Sequence, residues 1–175
     1  MIDSVNLLLI DDNTQMRLLL RQLVFLLGIK DIIEATNGLE ALTILRERRV
    51  DLILTDLKME PVDGIEFTRQ VRQSTETTSP YVPIIMVTGH SERHLVETAR
   101  DAGVSEFLVK PITTKNLFMR ISEIVERPRP FVNCQDYFGP DRRRRRSHAY
   151  HGPLRRRDDW EISDSSMSDN RVLVE

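Results

Sequence analysis

Five polar side chains stand directly after short apolar runs. Asp11 and Asp12 follow VNLLLI, Asp56 follows VDLILT, Thr88 follows VPIIMV and Lys110 follows SEFLV. If the runs are neighbouring strands, these groups meet at one edge of a sheet, where open α/β sheets place their chemistry. Clustered carboxylates repel one another and stay partly protonated alone. A divalent cation relieves that repulsion. Mg2+ prefers oxygen ligands, keeps several waters, and takes one or two carboxylates plus a phosphate oxygen. Asp56 could then attack a phosphoryl group as a carboxylate nucleophile, giving an aspartyl phosphate. The cation and Lys110 would neutralise the equatorial oxygens, and the Thr88 hydroxyl would donate a hydrogen bond to one of them.

The elements that must position these groups alternate between strand and helix patterns. Val5–Ile10 reads as a buried strand, and Asn13 as the cap of a helix to about Leu27 that Gly28 stops. Asp31–Ala35 is a weaker strand, followed by a helix capped by Asn37 and running to about Arg48, with Leu39, Leu42 and Leu45 inward. The third strand begins at Val50 and ends at Asp56. Pro61, Asp63 and Gly64 supply a loop before a helix over Asp63–Gln73, which carries Ile65, Phe67 and Val71. A fourth strand, Val82–Val87, leads through Thr88-Gly89 to a helix capped by Ser91 and stopped by Gly103. A fifth, Ser105–Val109, leads to a helix from Thr113 to about Glu126. Five βα units with short loops predict an α/β fold: a doubly wound parallel sheet of five strands with helices on both faces.

Composition sets the outer limits. The 175 residues hold one cysteine, Cys134, which excludes an internal disulfide framework and suits a reducing, cytoplasmic setting. The opening MIDSVNLLLIDD has no basic n-region, so a signal peptide is not expected, and no apolar run reaches the ~18 residues of a membrane span. Residues 1–127 carry a net charge of −4 and residues 128–175 a net charge of +2. The second stretch, with RPRPF, DRRRRR, LRRRDD and EISDSSMSDN, is stiff, charged or of low complexity. It is expected to be a largely disordered tail, with Phe131, Tyr137 and Phe138 as the residues able to anchor a short segment.

With these features in place, residues 1–127 resemble the receiver domain of bacterial two-component response regulators. The likeness rests on Asp11-Asp12, the loop DLKMEPVDG, Thr88-Gly89, the segment FLVKP and their order. It implies a stand-alone, chemotaxis-regulator-like receiver: a flavodoxin-like sheet in the order 2-1-3-4-5 that switches a signal when phosphorylated. By the same resemblance Asp56 is the phosphoacceptor. Asp12, Asp56 and the backbone carbonyl of Lys58 hold Mg2+, and Asp11 acts mainly through metal-bound water. Thr88 is the switch hydroxyl, Lys110 the phosphate-pairing lysine, Phe107 the switch aromatic, and Pro111 follows a cis peptide. Phosphorylation would draw Thr88 inward and let Phe107 follow, altering the face made by the fourth helix, fifth strand and fifth helix. The implied partners are a sensor histidine kinase or histidine-phosphotransfer protein and a downstream protein target, in a two-component system or phosphorelay. A phosphorylation-dependent homodimer is a further option. Beyond Mg2+-dependent self-phosphorylation and self-dephosphorylation no enzyme activity is expected. The chain departs from the family in Met59-Glu60-Pro61, where proline more often follows methionine directly. Lys58 and His90 stand at positions that tune dephosphorylation.

Plainer readings stand beside these. Asp12 alone is a turn residue, Asp56 an acid before a helix, Lys110 a surface charge and Phe107 ordinary packing. The first helix is unusually apolar (Leu18, Leu19, Leu20, Leu23, Val24, Phe25, Leu26, Leu27), which is either thick core packing or a docking patch for a partner helix. His90 with His94, and His148 with His151, lack a third ligand at zinc spacing. A phosphorylation-independent adaptor remains an alternative, as does nucleic-acid binding through Arg142–Arg146 and Arg155–Arg157. The balancing acids and the lack of a helix-turn-helix pattern argue against sequence-specific DNA recognition.

Overall fold

The computed structural model describes residues 5–75, 80–89, 93–134 and 137–142. Five strands, β1 (Asn6–Ile10), β2 (Asp31–Ala35), β3 (Leu52–Asp56), β4 (Ile84–Thr88) and β5 (Glu106–Val109), form one sheet in the order β2-β1-β3-β4-β5. Every pairing is parallel, as the βα alternation predicts. Five helices follow the strands: α1 (Thr14–Leu26), α2 (Gly38–Glu47), α3 (Gly64–Gln73), α4 (Arg93–Ala102) and α5 (Thr114–Glu126).

Strand periodicity divides the core into layers. Leu7 and Leu9 point to one face and pack with Leu20 and Val24 of α1 and Leu117 and Ile121 of α5. Leu8 and Ile10 point to the other and pack with Ala41 and Leu45 of α2 and Phe67 and Val71 of α3. A third cluster joins Met86 to Ile65, Ala99 and Ala102, with Phe107 packed against it. Local chemistry sets the helix ends. Asn13, Asn37, Asp63 and Thr113 accept hydrogen bonds from otherwise orphaned backbone N–H groups of the first turns. Gly28 and Gly103 follow α1 and α4 at φ of 97° and 101°, a conformation that favours glycine. Ser91, expected to cap α4, lies outside the described residues.

Three expectations need correction. Leu39 is half exposed, at 50%. On α2 the stripe facing the sheet is Gly38, Ala41 and Leu45, and Leu39 falls to its solvent side. The fourth strand starts at Ile84 rather than Val82, because Pro83 has no N–H for the ladder; its carbonyl instead accepts from Ile53. The third concerns the boundary at residue 127. Past α5 the chain forms an antiparallel hairpin, β6 (Phe131–Cys134) and β7 (Tyr137–Pro140), and the compact unit runs to Arg142.

Aromatic packing explains the hairpin. Tyr81, which precedes β4, meets Phe131 and Phe138 edge-on at 5.2 and 5.1 Å, and the Tyr137 hydroxyl donates to the Pro140 carbonyl at 2.7 Å. Arg142 stacks 3.9 Å from the Tyr137 ring centroid and pairs with Asp101 of α4 at 3.2 Å. Arg129 pairs with the buried Glu106 of β5, which Arg120 of α5 also reaches. This segment therefore buries enough apolar and polar surface to order itself. Residues 143–175, including the remaining arginine runs, lie outside the described residues.

Candidate functional site

Asp56 is the last residue of β3, and its place follows from a strand apolar on both faces that meets its first charge only at the tip. β1 ends one residue before Asp11, β4 ends at Thr88, and β5 ends one residue before Lys110. Parallel pairing thus carries all these residues to the carboxyl edge of the sheet.

The side chains of the edge meet. Lys110 Nζ lies 2.7 Å from Asp56 Oδ1, and the Lys58 amide donates to Asp56 Oδ2 at 3.0 Å. Both oxygens of Asp56 are therefore held, and the carboxylate is nearly buried. Lys110 is positioned in turn by its own amide, which donates to the Thr88 carbonyl at 2.8 Å. Thr88 is buried, at the end of the strand between β3 and β5.

Asp11 is buried too. Its Oδ1 accepts from the Asn13 amide at 2.8 Å, while its Oδ2 is buried with no hydrogen-bond partner. Burial raises its pKa above the usual carboxyl value. The Asn13 hydrogen bond works against that rise, Asp56 and Asp12 add repulsion, and Lys110 offsets part of it. Asp12 is exposed beside it. Phe107 is half-buried and registered beside Met86. The Lys110-Pro111 peptide is cis, and so is Glu60-Pro61, in the loop that departs from the family pattern. His94 is exposed on α4, whereas His90, His148 and His151 lie outside the described residues.

An unpartnered buried carboxylate oxygen with two further acids pressing on it fits a hard cation. Among the described residues no three His, Cys, Asp or Glu side chains form a ready-made metal cage. Magnesium does not require one, because it retains waters and accepts backbone carbonyls. The donor set of Asp11, Asp12, Asp56 and the Lys58 carbonyl is all oxygen and suits that ion.

Two supporting features escape a motif reading. Gly64 opens α3 with its Cα against the Asp56 backbone, so that a Cβ there would fall inside contact distance of the Asp56 carbonyl oxygen. Its position after the acceptor loop was visible in the sequence, but the close approach was not. Arg17, on the first turn of α1, donates from Nη1 to the Asp11 carbonyl at 2.8 Å and pairs through Nε with Glu34 of β2 at 3.2 Å. No local pattern announces it, since Glu34 is far along the chain.

Comparison with known proteins accords with this geometry. Residues 7–122 match the response regulator receiver domain family. Chemotaxis protein CheY-3 of Vibrio cholerae is 32% identical over 124 residues, covering 71% of this chain and 94% of that protein. The solved structure of Vibrio cholerae chemotaxis protein CheY4 superposes with a TM-score of 0.63 at 25% identity, covering 69% of this chain and 98% of that one. The receiver domain of the sensor histidine kinase PA1611 from Pseudomonas aeruginosa has the same fold at 24% identity (TM-score 0.63, 70% and 98% covered). Sheet order, strand-tip acids and sequence all converge, and the chain belongs to the response regulator receiver domain family.

Proposed function

We propose that Asp56 is the phosphoacceptor of a signalling switch in a two-component system or phosphorelay. The observation that carries this reading is the setting of Asp56 at a strand tip: Lys110 Nζ at 2.7 Å, the Lys58 amide at 3.0 Å, and beside it Asp11 with one oxygen unpartnered. Asp12, Asp56 and the Lys58 carbonyl would hold Mg2+, with Asp11 acting through its water; when bound, the ion withdraws charge from the phosphoryl oxygens. The PA1611 receiver, which shares this fold, carries a magnesium ion coordinated in its active-site cleft.

The donor is a phosphohistidine on a sensor kinase or phosphotransfer protein. An Asp56 oxygen attacks phosphorus as the P–N bond breaks, the imidazole leaves with that electron pair, and a P–O bond forms. Lys110 then pairs with phosphoryl oxygens instead of Oδ1, and the Thr88 hydroxyl donates to another. Phe107, packed beside Met86 and Ala99, follows Thr88 and alters the α4–β5–α5 face that a downstream protein reads. The partner helix docks on α1, whose outer stripe of Leu18, Leu19, Phe25 and Leu26 is 43–73% exposed while Leu20 and Val24 are buried. No helix among the described residues is long and apolar enough to cross a membrane.

Phosphorylation by acetyl phosphate tests this reading. Wild type is expected to incorporate one Mg2+-dependent, alkali-labile phosphoryl group, and Asp56→Asn none. Undiminished labelling of Asp56→Asn would remove Asp56 from the role, and no labelling of wild type would favour the phosphorylation-independent adaptor.

A further inference from the structure

We infer that Arg17 and Glu34 form a positioning clamp for the acidic pair, fixing the Asp11–Asp12 peptide so that both carboxylates serve one Mg2+ while leaving the pocket's negative charge intact. This rests on the proposed magnesium site. The ladder between β1 and β2 ends at Ile10 and Ala35; beyond it the Asp11 amide makes a long bond of 3.3 Å to the Ala35 carbonyl, and its side chain accepts from the Asn13 amide at 2.8 Å. Arg17 holds the carbonyl of the next peptide plane, through its 2.8 Å bond to the Asp11 carbonyl oxygen. That plane sets the direction in which exposed Asp12 leaves the chain.

The arginine is itself fixed. Its side chain is 13% exposed, and its Nε is 3.2 Å from Glu34 Oε2, while Arg21 holds Glu34 Oε1 at 3.1 Å. Glu40, at the start of α2, also feels the Arg17 charge. A guanidinium donates in a rigid plane, so bridging a carbonyl and a carboxylate determines its orientation; a lysine ammonium cannot span both in one geometry. The pairing has a second consequence. A lone cation beside the pocket would repel the metal, whereas Glu34 and Glu40 cancel Arg17 locally. The clamp thus supplies rigidity without opposing charge, the role of groups that orient metal ligands from behind.

Calorimetric titration of MgCl2 into full-length protein tests this, alongside thermal unfolding in EDTA. Arg17→Ala and Arg17→Lys are each expected to weaken Mg2+ binding about 10-fold, the usual scale for an outer-shell orienting group. That loss should be insensitive to salt. Glu34→Gln keeps the Arg17 hydrogen bond but uncovers its charge, so its loss of affinity should shrink as KCl rises. Unchanged Mg2+ affinity in Arg17→Ala, with only a lower unfolding midpoint in EDTA, would make Arg17 a purely structural residue and overturn the inference while leaving the Mg2+ site intact. Should Arg17→Ala not fold, equal Mg2+ affinity of Glu34→Gln and wild type at low salt overturns it. Absence of Mg2+ binding by wild type would instead overturn the underlying site, and the clamp with it.

Discussion

Arg72 is a stringent test of how the hairpin and the sheet floor are joined. It lies in the last turn of α3, is 4% exposed, and donates from Nε and Nη2 to the Gly103 carbonyl (3.1 and 3.0 Å) and from Nη1 to Pro80 (2.6 Å) and Val82 (2.8 Å). Its Cζ lies 5.1 Å from the Phe131 ring centroid. Arg72→Met keeps most of the volume and removes every donor. Orphaning the two fully buried carbonyls costs about 4 kcal/mol. The half-buried Pro80 carbonyl and the lost contact with Phe131 add roughly 2 kcal/mol. Against this, burial lowers the Arg72 pKa to about 10, so removing the desolvated charge returns roughly 3 kcal/mol. The net expectation is a loss of about 3 kcal/mol, a drop of roughly 10 °C in Tm for a chain of this size. Urea unfolding followed by circular dichroism measures it. Because these contacts lie at the sheet edge opposite Asp56, Mg2+ affinity should not change. A loss under about 1 kcal/mol, or a gain, would refute the bookkeeping, since desolvation would then outweigh the hydrogen bonds.

Asp11→Asn is expected to stabilise the metal-free protein at neutral pH. Burial raises the Asp11 pKa, so its contribution to stability is present in acid and lost as pH climbs above the ordinary value of 3.8. Thermal melts across pH should show a flatter profile for the variant, and Mg2+ should raise the Tm of wild type more than that of the variant. Gly64→Ala forces a Cβ onto the Asp56 carbonyl; a loss of roughly 1–3 kcal/mol is expected by chemical denaturation, with weakened phosphorylation by acetyl phosphate. Truncation after Arg127 removes the ring contacts of Phe131 and Phe138 with Tyr81. It should lower stability by roughly 2–4 kcal/mol, and an unchanged Tm would separate the hairpin from the domain. Tyr137→Phe deletes the hydroxyl, which donates to the Pro140 carbonyl and is also hydrogen-bonded with Arg142, and should cost about 1–2 kcal/mol by the same measurement.

The five strands, the caps at Asn13, Asn37 and Thr113, and the arrival of Asp11, Asp56, Thr88 and Lys110 at one edge were legible in sequence, because each depends on local rules. Apolar runs buried on both faces, short polar side chains before helices and glycines after them act over a few residues. Strand order was legible only through family resemblance; hydrophobic pattern alone does not say which strand lies beside which. Tertiary structure decided the rest. Leu39 turned outward because helix phase is set by what α2 packs against. Phe131 and Phe138, set among arginines and prolines, read as candidate anchors, but their partners Tyr81 and Arg72 lie far back along the chain, so only packing shows that this stretch closes into a hairpin. Arg17 met Glu34, and Gly64 met Asp56, through contacts no spacing encodes. Short-range chemistry selects the elements and the reactive groups. Which distant partner fills each remaining hydrogen bond or gap depends on the packing of the whole sheet.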